Sequence, residues 1–256
     1  MNKALNLFLN LLYPPKCVFC GAILSINTDK FICRKCERTR EVLDEKVCCE
    51  RCGKPLVSFG EEQLCYNCLM ETHFYYKRIV SAFVYEKDVK SAILRYKKNP
   101  TPRYAKVFAG YLYKMYEARY KDKAIDYIVA VPGDNIRNLK RGNDQIDLLC
   151  TIFSELSGIL YLKGCLKKIK KTPKQASLPY EERQDNLVNS IRAENPDKIK
   201  GKTVLLVDDV CTTKATIKEC SRELKFSGAK EIFVLTIATT IFKQKDEDSK
   251  NEDRKI

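Results

Sequence analysis

The stretch Val204-Leu205-Leu206-Val207-Asp208-Asp209-Val210-Cys211-Thr212-Thr213-Lys214-Ala215-Thr216 decides how this chain folds. Its continuous apolar run reads as a strand buried on both faces, and such strands belong to parallel sheets. Two carboxylates end the run. A hydroxyl-rich turn then opens a helix over Ala215 to Phe226, closed by Ser227-Gly228. In open α/β sheets, ligands sit beyond the carboxyl ends of the strands. The helix N-terminus offers unpaired N–H groups and a positive dipole end, which suit a phosphate. Thr212, Thr213 and Thr216 add hydroxyl donors, and Asp208 and Asp209 can accept from a ribose diol, directly or through a magnesium shell. The same residues fit a purely structural arrangement, an acidic strand end with a helix capped by Thr212 or Thr213. The residues alone leave both readings open.

On either side of this segment the pattern alternates. Ile79 to Tyr85, Tyr127 to Val131, Cys165 to Ile169, Asn189 to Ala193 and Glu231 to Ala238 read as strands. Lys90 to Tyr96, Tyr104 to Tyr120 and Asp144 to Leu156 read as helices. This alternation predicts an α/β domain over 78–240, with a parallel sheet covered by helices on both faces. Gly201-Lys202-Thr203 mimics the end of a Walker A motif, but the required earlier glycine would fall at Pro196 and the triplet precedes its strand, so a P-loop is excluded.

Before residue 78 the texture is different. Nine of the thirteen cysteines lie between Cys17 and Cys68, in two units of identical spacing. Cys17-x-x-Cys20 is followed after twelve residues by Cys33-x-x-Cys36, and Cys49-x-x-Cys52 after twelve by Cys65-x-x-Cys68. Each unit supplies two thiolate pairs, enough to close one tetrahedral zinc cage. The spacing predicts a double zinc-binding module over 16–72, four cysteines to a cage, that holds two structural zinc ions. Closed four-thiolate sites leave no position for a catalytic water, so zinc catalysis is not expected. Gly21 and Gly53 follow the second cysteine of a pair, where a sharp turn favours a residue without Cβ. Cys48 falls outside the repeated frame. His73, the only histidine, has no place in cages that are already full.

Composition bounds the rest. The chain has 256 residues, 45% of them hydrophobic and 31% charged, which excludes wholesale disorder. It contains no run of 18 apolar residues, which excludes a membrane-spanning helix. Leu5, Phe8, Leu9 and Leu12 share a face at helical spacing and predict a short amphipathic helix over 1–15, not an export signal. A cytoplasmic location with reduced thiols follows as the expectation. Residues 241–256 are nearly all polar or charged and predict a disordered tail. The formal charge of +14 favours phosphate-bearing partners. Lys163, Lys167, Lys168, Lys170, Lys171 and Lys174 cluster between Tyr161 and Tyr180. Arg95, Lys97, Lys98, Arg103 and Lys106 lie around Tyr96 and Tyr104. Lysines interleaved with tyrosines suit a single-stranded DNA track, whereas solvated lysines beside packed tyrosines are the plain alternative.

The 204–216 segment resembles the PRPP-binding signature of type I phosphoribosyltransferases. In those proteins the acidic pair contacts the ribose hydroxyls and the loop wraps the 5′-phosphate. With the cysteine module, the chain over roughly residues 10 to 240 resembles the ComF family of competence-associated proteins, in which a zinc ribbon precedes a phosphoribosyltransferase-like domain. Thr172, Gln175, Leu178, Arg183 and Asn186 are similar to that family's pattern, as are Arg141, Gly142 and Gln145. The resemblance implies a type I phosphoribosyltransferase-like parallel-sheet domain after the double zinc ribbon. It further implies PRPP with magnesium held by Asp208, Asp209, Thr212, Thr213, Lys214, Ala215 and Thr216, with Arg141, Gln145, Thr172, Gln175, Arg183 and Asn186 as accessory residues. The function implied is accessory to DNA uptake, with single-stranded DNA and uptake proteins such as a helicase as partners, and a dimer as the common state of the superfamily. A transferase acting on a nitrogen acceptor and a zinc-ribbon adaptor with a relic PRPP site are the alternatives. Three departures stand out. Lys214 replaces the usual glycine, and its ammonium is expected to meet the phosphate. Asn143-Asp144 replaces Phe-Asn. Thr212 lies near where true transferases place a catalytic acid, so no obvious general base remains there.

Overall fold

The computed structural model describes residues 13–25, 28, 30–40, 42–44, 47–56, 63–133, 145–169 and 189–241. Its centre is a five-stranded, wholly parallel sheet. The strands are β1 (Ile79–Val84), β2 (Tyr127–Ala130), β3 (Leu160–Tyr161), β6 (Thr203–Cys211) and β7 (Glu231–Thr239), in the order β1-β7-β6-β2-β3. A separate antiparallel pair joins β4 (Leu166–Lys168) to β5 (Ile191–Ala193). The helices of the α/β domain are α3 (Lys87–Lys98), α4 (Pro102–Arg119), α5 (Gln145–Ser157) and α6 (Ala215–Phe226). The short α1 (Arg34–Thr39) and α2 (Tyr66–Leu69) belong to the ribbons and each carries one cage cysteine, Cys36 and Cys68.

Two strands depart from the apolar pattern. Strand β6 continues through Asp208 and Asp209 to Cys211 because β7 pairs with it in register to Cys211↔Thr239. The acidic pair therefore lies within the strand, and its side chains point to opposite faces. Strand β3, only two residues long, carries no periodic signal and is absent from the predicted elements.

Two hydrophobic cores fill the two faces, and each ribbon is part of one of them. On one face Val18, Phe19 and Leu24 of the first ribbon join β1 and residues from α3, α4 and α5. Phe19 is ringed by Phe83, Phe108 and Tyr111 at centroid distances of 5.7, 6.3 and 5.9 Å, all edge-to-face. On the other face the second ribbon's cysteines pack with Tyr76, Ile79 and the α6 residues Ile217, Cys220 and Leu224. The ribbons thus straddle β1, the edge of the sheet. Leu43 N–H donates to Ala82 O at 2.9 Å, and Ile79 N–H donates to Arg51 O at 3.0 Å. Backbone groups of an edge strand are so taken up within the chain.

Of the predicted N-terminal helix, Leu5, Phe8, Leu9 and Leu12 lie outside the described residues. Tyr13, Pro14 and Pro15 are not helical, so the predicted span to residue 15 is too long, as two successive prolines would require. Residues 242–256 of the predicted tail also lie outside the described residues. No helix among the described residues is long and apolar enough to cross a membrane.

Candidate functional site

Both cysteine groups assemble. The ligand sulfurs of Cys17, Cys20, Cys33 and Cys36 all lie within 4.8 Å of one another, as do those of Cys49, Cys52, Cys65 and Cys68. A sulfur tetrahedron around zinc, with bonds of about 2.3 Å, has edges of about 3.8 Å. The Cys20–Cys33 and Cys52–Cys65 sulfurs stand 3.7 Å apart, matching that edge. Backbone N–H groups turn toward the sulfurs, from Cys33 to Cys17 at 3.4 Å and from Cys65 to Cys49 at 3.3 Å. Such donors stabilise thiolates. The residues fit two structural zinc ions, the first cage partly exposed and the second fully buried. Cys48 lies outside both groups, and its thiol donates to Asp44 O at 3.3 Å. His73 is exposed and also outside them.

Gly21 and Gly53 both adopt positive φ, +76° and +66°. They differ in what surrounds them. A Cβ on Gly21 would meet nothing within 4 Å, whereas one on Gly53 would lie 2.5 Å from the Ile79 carbonyl oxygen. The second ribbon's turn is pressed directly onto β1.

At the carboxyl end of β6 the chain bends through Thr212, Thr213 and Lys214 into α6. Asp208, Cys211, Thr212, Thr213, Ala215 and Thr216 line a shallow concavity there. Thr213 Oγ1 accepts from the N–H of Ala215, the first residue of this helix, at 3.5 Å. The N-cap is Lys214, at φ +68°, with no side-chain capping bond. Asp208 is half-buried, and one of its oxygens accepts from Asp209 N–H at 2.7 Å. Asp209, on the opposite face and only 8% exposed, is held by two groups from distant elements. Lys97 Nζ, on α3, lies 2.8 Å from Oδ1, and Gln145 Nε2, at the start of α5, donates to Oδ2 at 2.6 Å. The Tyr96 hydroxyl donates to Gln145 O, anchoring that residue. Burial pulls the Lys97 pKa down, but the Asp209 and Asp208 carboxylates more than reverse this and hold it above its ordinary value.

Lys214 also lines this concavity, but its side chain ends elsewhere. It is 7% exposed and runs into the second ribbon. There Nζ donates to Glu71 Oε2 at 2.8 Å and to Cys68 Sγ at 3.5 Å, and lies 5.9 Å from the Phe74 ring centroid. The ammonium expected to meet a bound phosphate is here engaged by an acidic partner and a cage cysteine. Lys218, one turn on, pairs with the other Glu71 oxygen. Burial raises the Glu71 pKa, and the two lysines overcome that to hold it below the ordinary carboxylate range.

The structure brings Gln145 to Asp209, but Arg141, Thr172, Gln175, Arg183 and Asn186 lie outside the described residues. The predicted basic track around Tyr96 is redistributed. Tyr96 is fully buried and stacked on Tyr104, with centroids 6.1 Å apart, so it offers no face to a nucleobase. Arg95 donates to the carbonyls of Val18 and Phe19 at 2.9 and 2.8 Å, and Arg103 lies over the Phe31 ring, so both dock the first ribbon. In the other cluster Lys163 and Lys167 remain exposed, each near one acid, Asp147 and Glu194, at 3.3 Å. Lys170, Lys171, Lys174 and Tyr180 lie outside the described residues. Sequence reasoning places Lys97 on a surface, where it is indeed exposed, but misses its ion pair with Asp209 and misses Glu71. A signal exists for Lys97, four residues after buried Ile93 and so on the apolar stripe of α3. Glu71 has none.

Comparison with known proteins agrees with this architecture. Residues 8–69 match the double zinc ribbon domain, and residues 151–255 match the phosphoribosyl transferase domain. The chain is 28% identical to Competence protein F of Haemophilus influenzae over 87% of this chain and 96% of that one. It is 28% identical to DNA utilization protein YhgH of Escherichia coli, over 82% and 91%. Competence protein ComFC of Streptococcus pneumoniae is also 28% identical, over 85% and 96%. The chain thus combines a double zinc ribbon with a phosphoribosyltransferase-type domain and resembles, along most of its length, the competence and DNA-utilization proteins of the ComF family.

Proposed function

We propose that the chain is an accessory protein of DNA uptake and utilization whose α/β domain binds PRPP with magnesium at the carboxyl end of β6. The observation that carries this reading is the pairing of Asp208 with the 212–216 loop around one concavity at the N-terminus of α6. A 5′-phosphate would take the amides and hydroxyls of that turn, and the ribose would reach Asp208. Asp209 serves the site only if Lys97 shares it with the ligand. An ammonium beside a bound diphosphate would favour that exchange. Magnesium, when bound, would supply charge neutralisation between the carboxylates and the diphosphate. The names of the relatives support the DNA-related role. Single-stranded DNA is assigned to the exposed lysines near β3 and β4, with uptake proteins such as a helicase as partners and the cytoplasm as the compartment.

Calorimetry of PRPP with magnesium against the zinc-loaded chain tests the nucleotide site. Saturable binding that Asp208→Asn/Asp209→Asn loses is the expected result. Absence of binding removes the PRPP assignment. It would favour the second reading, an adaptor with a relic site, which one observation already supports: Asp209 is engaged by Lys97 and Gln145. Titration with unlabelled single strands at rising salt tests the DNA contact, and a protein indifferent to DNA at low salt refutes it.

A further inference from the structure

We propose that Lys214 is a positioning residue that ties the 212–216 loop to the second zinc cage, so that metal occupancy of that cage sets the loop's conformation. Lys214 is both the N-cap of α6 and a buried hydrogen-bond donor to Cys68, a cage cysteine. Its backbone sits at φ +68°, which a residue with a Cβ adopts only when its surroundings hold it there. Those surroundings are the ribbon: Glu71 binds Nζ at 2.8 Å and pairs with Lys218 on the next turn of the same helix. A second link runs in parallel. Lys54, directly after the Cys49–Cys52 turn and Gly53, donates from Nζ to Thr240 Oγ1 at 3.4 Å, and that hydroxyl donates to Thr212 O at 3.4 Å. Both cysteine pairs of the second cage are thus joined to the loop, one through Lys214 and the other through Lys54 and Thr240. The first cage sits on the opposite face, against α3 and α4. Metal in the second cage fixes Cys68 and the chain leading to Glu71, and with them the anchor of Lys214. The meaning for ligand binding rests on the phosphoribosyl reading of the loop; the coupling between cage and loop does not.

Two measurements on the full zinc-loaded chain test this without any ligand. The first follows zinc release to an excess of chelator, with the two phases assigned by Cys20→Ser, which disables the first cage. Lys214→Gly accepts the positive φ without strain and removes the bonds to Cys68 and Glu71, and Lys214→Met, which keeps the Cβ, separates their loss from the added freedom of a glycine backbone. Both should speed release from the second cage about tenfold, as loss of an outer hydrogen bond to a metal ligand does, and leave the first unchanged. Lys214→Arg, which keeps a donor, should restore much of the slow phase. The second measurement is hydrogen exchange of amides 212–218. Exchange should rise when wild-type protein loses zinc, and should already be raised in zinc-loaded Lys214→Gly. Release from the second cage at the wild-type rate in Lys214→Gly overturns the proposal, as does equal acceleration of both cages. Loop exchange indifferent to zinc also overturns it. Failure of PRPP binding touches none of these readouts.

Discussion

A lysine in the left-handed region costs about 1 kcal/mol relative to glycine, and Lys214 sits there with its side chain buried among an acid and a cage thiol. The same logic separates the two glycines of the ribbon turns. Both have positive φ, but only Gly53 faces a backbone carbonyl at contact distance. Gly21→Ala should therefore lower stability by about 1 kcal/mol, the conformational cost alone. Gly53→Ala adds an overlap that β1 must move to relieve, for a total of about 3 kcal/mol or more. Denaturant melts of the two zinc-loaded variants check this, and equal losses would refute it. The residue scale also shows where sequence reasoning stops. The cysteine frames are visible because both halves of each site lie close together in the chain and repeat. The contacts of Lys97 with Asp209 and of Lys214 with Glu71 join segments far apart in the chain, and no local pattern marks the pairings.

Among the elements, the strands that could be read were those whose burial is continuous. Val204–Val207 announces β6, but its last four residues depend on β7 continuing to pair beside them, and the charges of Asp208 and Asp209 hide that extension. Strand β3 depends wholly on its pairing with β2. The starts of β2 and β6 are fastened by one carboxylate. Asp126 Oδ2 accepts from Thr203 N–H at 2.8 Å, while Oδ1 accepts from Lys202 Nζ at 3.0 Å. These donors, the Thr203 amide first, hold its pKa below the ordinary value. A carboxyl with a depressed folded pKa stabilises the fold above its unfolded value, and that contribution fades as pH falls through the folded one. Asp126→Ala should cost about 1 kcal/mol at pH 7, about 3 °C in Tm for a chain of this size. The gap between variant and wild type should narrow as pH drops below about 4. A gap that stays constant between pH 7 and pH 3 would contradict the assignment.

At the level of the whole molecule, the ribbons are not beads on a string. The division of the sequence into a cysteine-rich and an α/β segment is real as composition, but each ribbon contributes side chains to one of the two cores. Zinc binding energy is then folding energy for the α/β layers as well. Melting followed by circular dichroism should show one cooperative transition with zinc, and excess chelator should lower it by on the order of 10 °C or more. A chelator-insensitive α/β transition would show the ribbons to be separable. Phe19→Ala should behave as a core mutation of the α/β domain despite lying in a ribbon, costing about 4 kcal/mol, because its ring is fully buried among Phe83, Phe108 and Tyr111.

The pairing of β1 with β7 also has a consequence for biosynthesis. The sheet's first strand has as its ladder partner the last one, from Ile79↔Val234 to Val84↔Thr239. On the ribosome, the cysteine-rich segment and β1 emerge long before β7 exists. Throughout that interval β1 lacks its ladder, and α6, whose lysines hold the second ribbon's acid, is also unmade. Chains released early would expose an unpaired apolar strand, the kind of surface that chaperones and proteases recognise, so only complete translation yields a chain that escapes them.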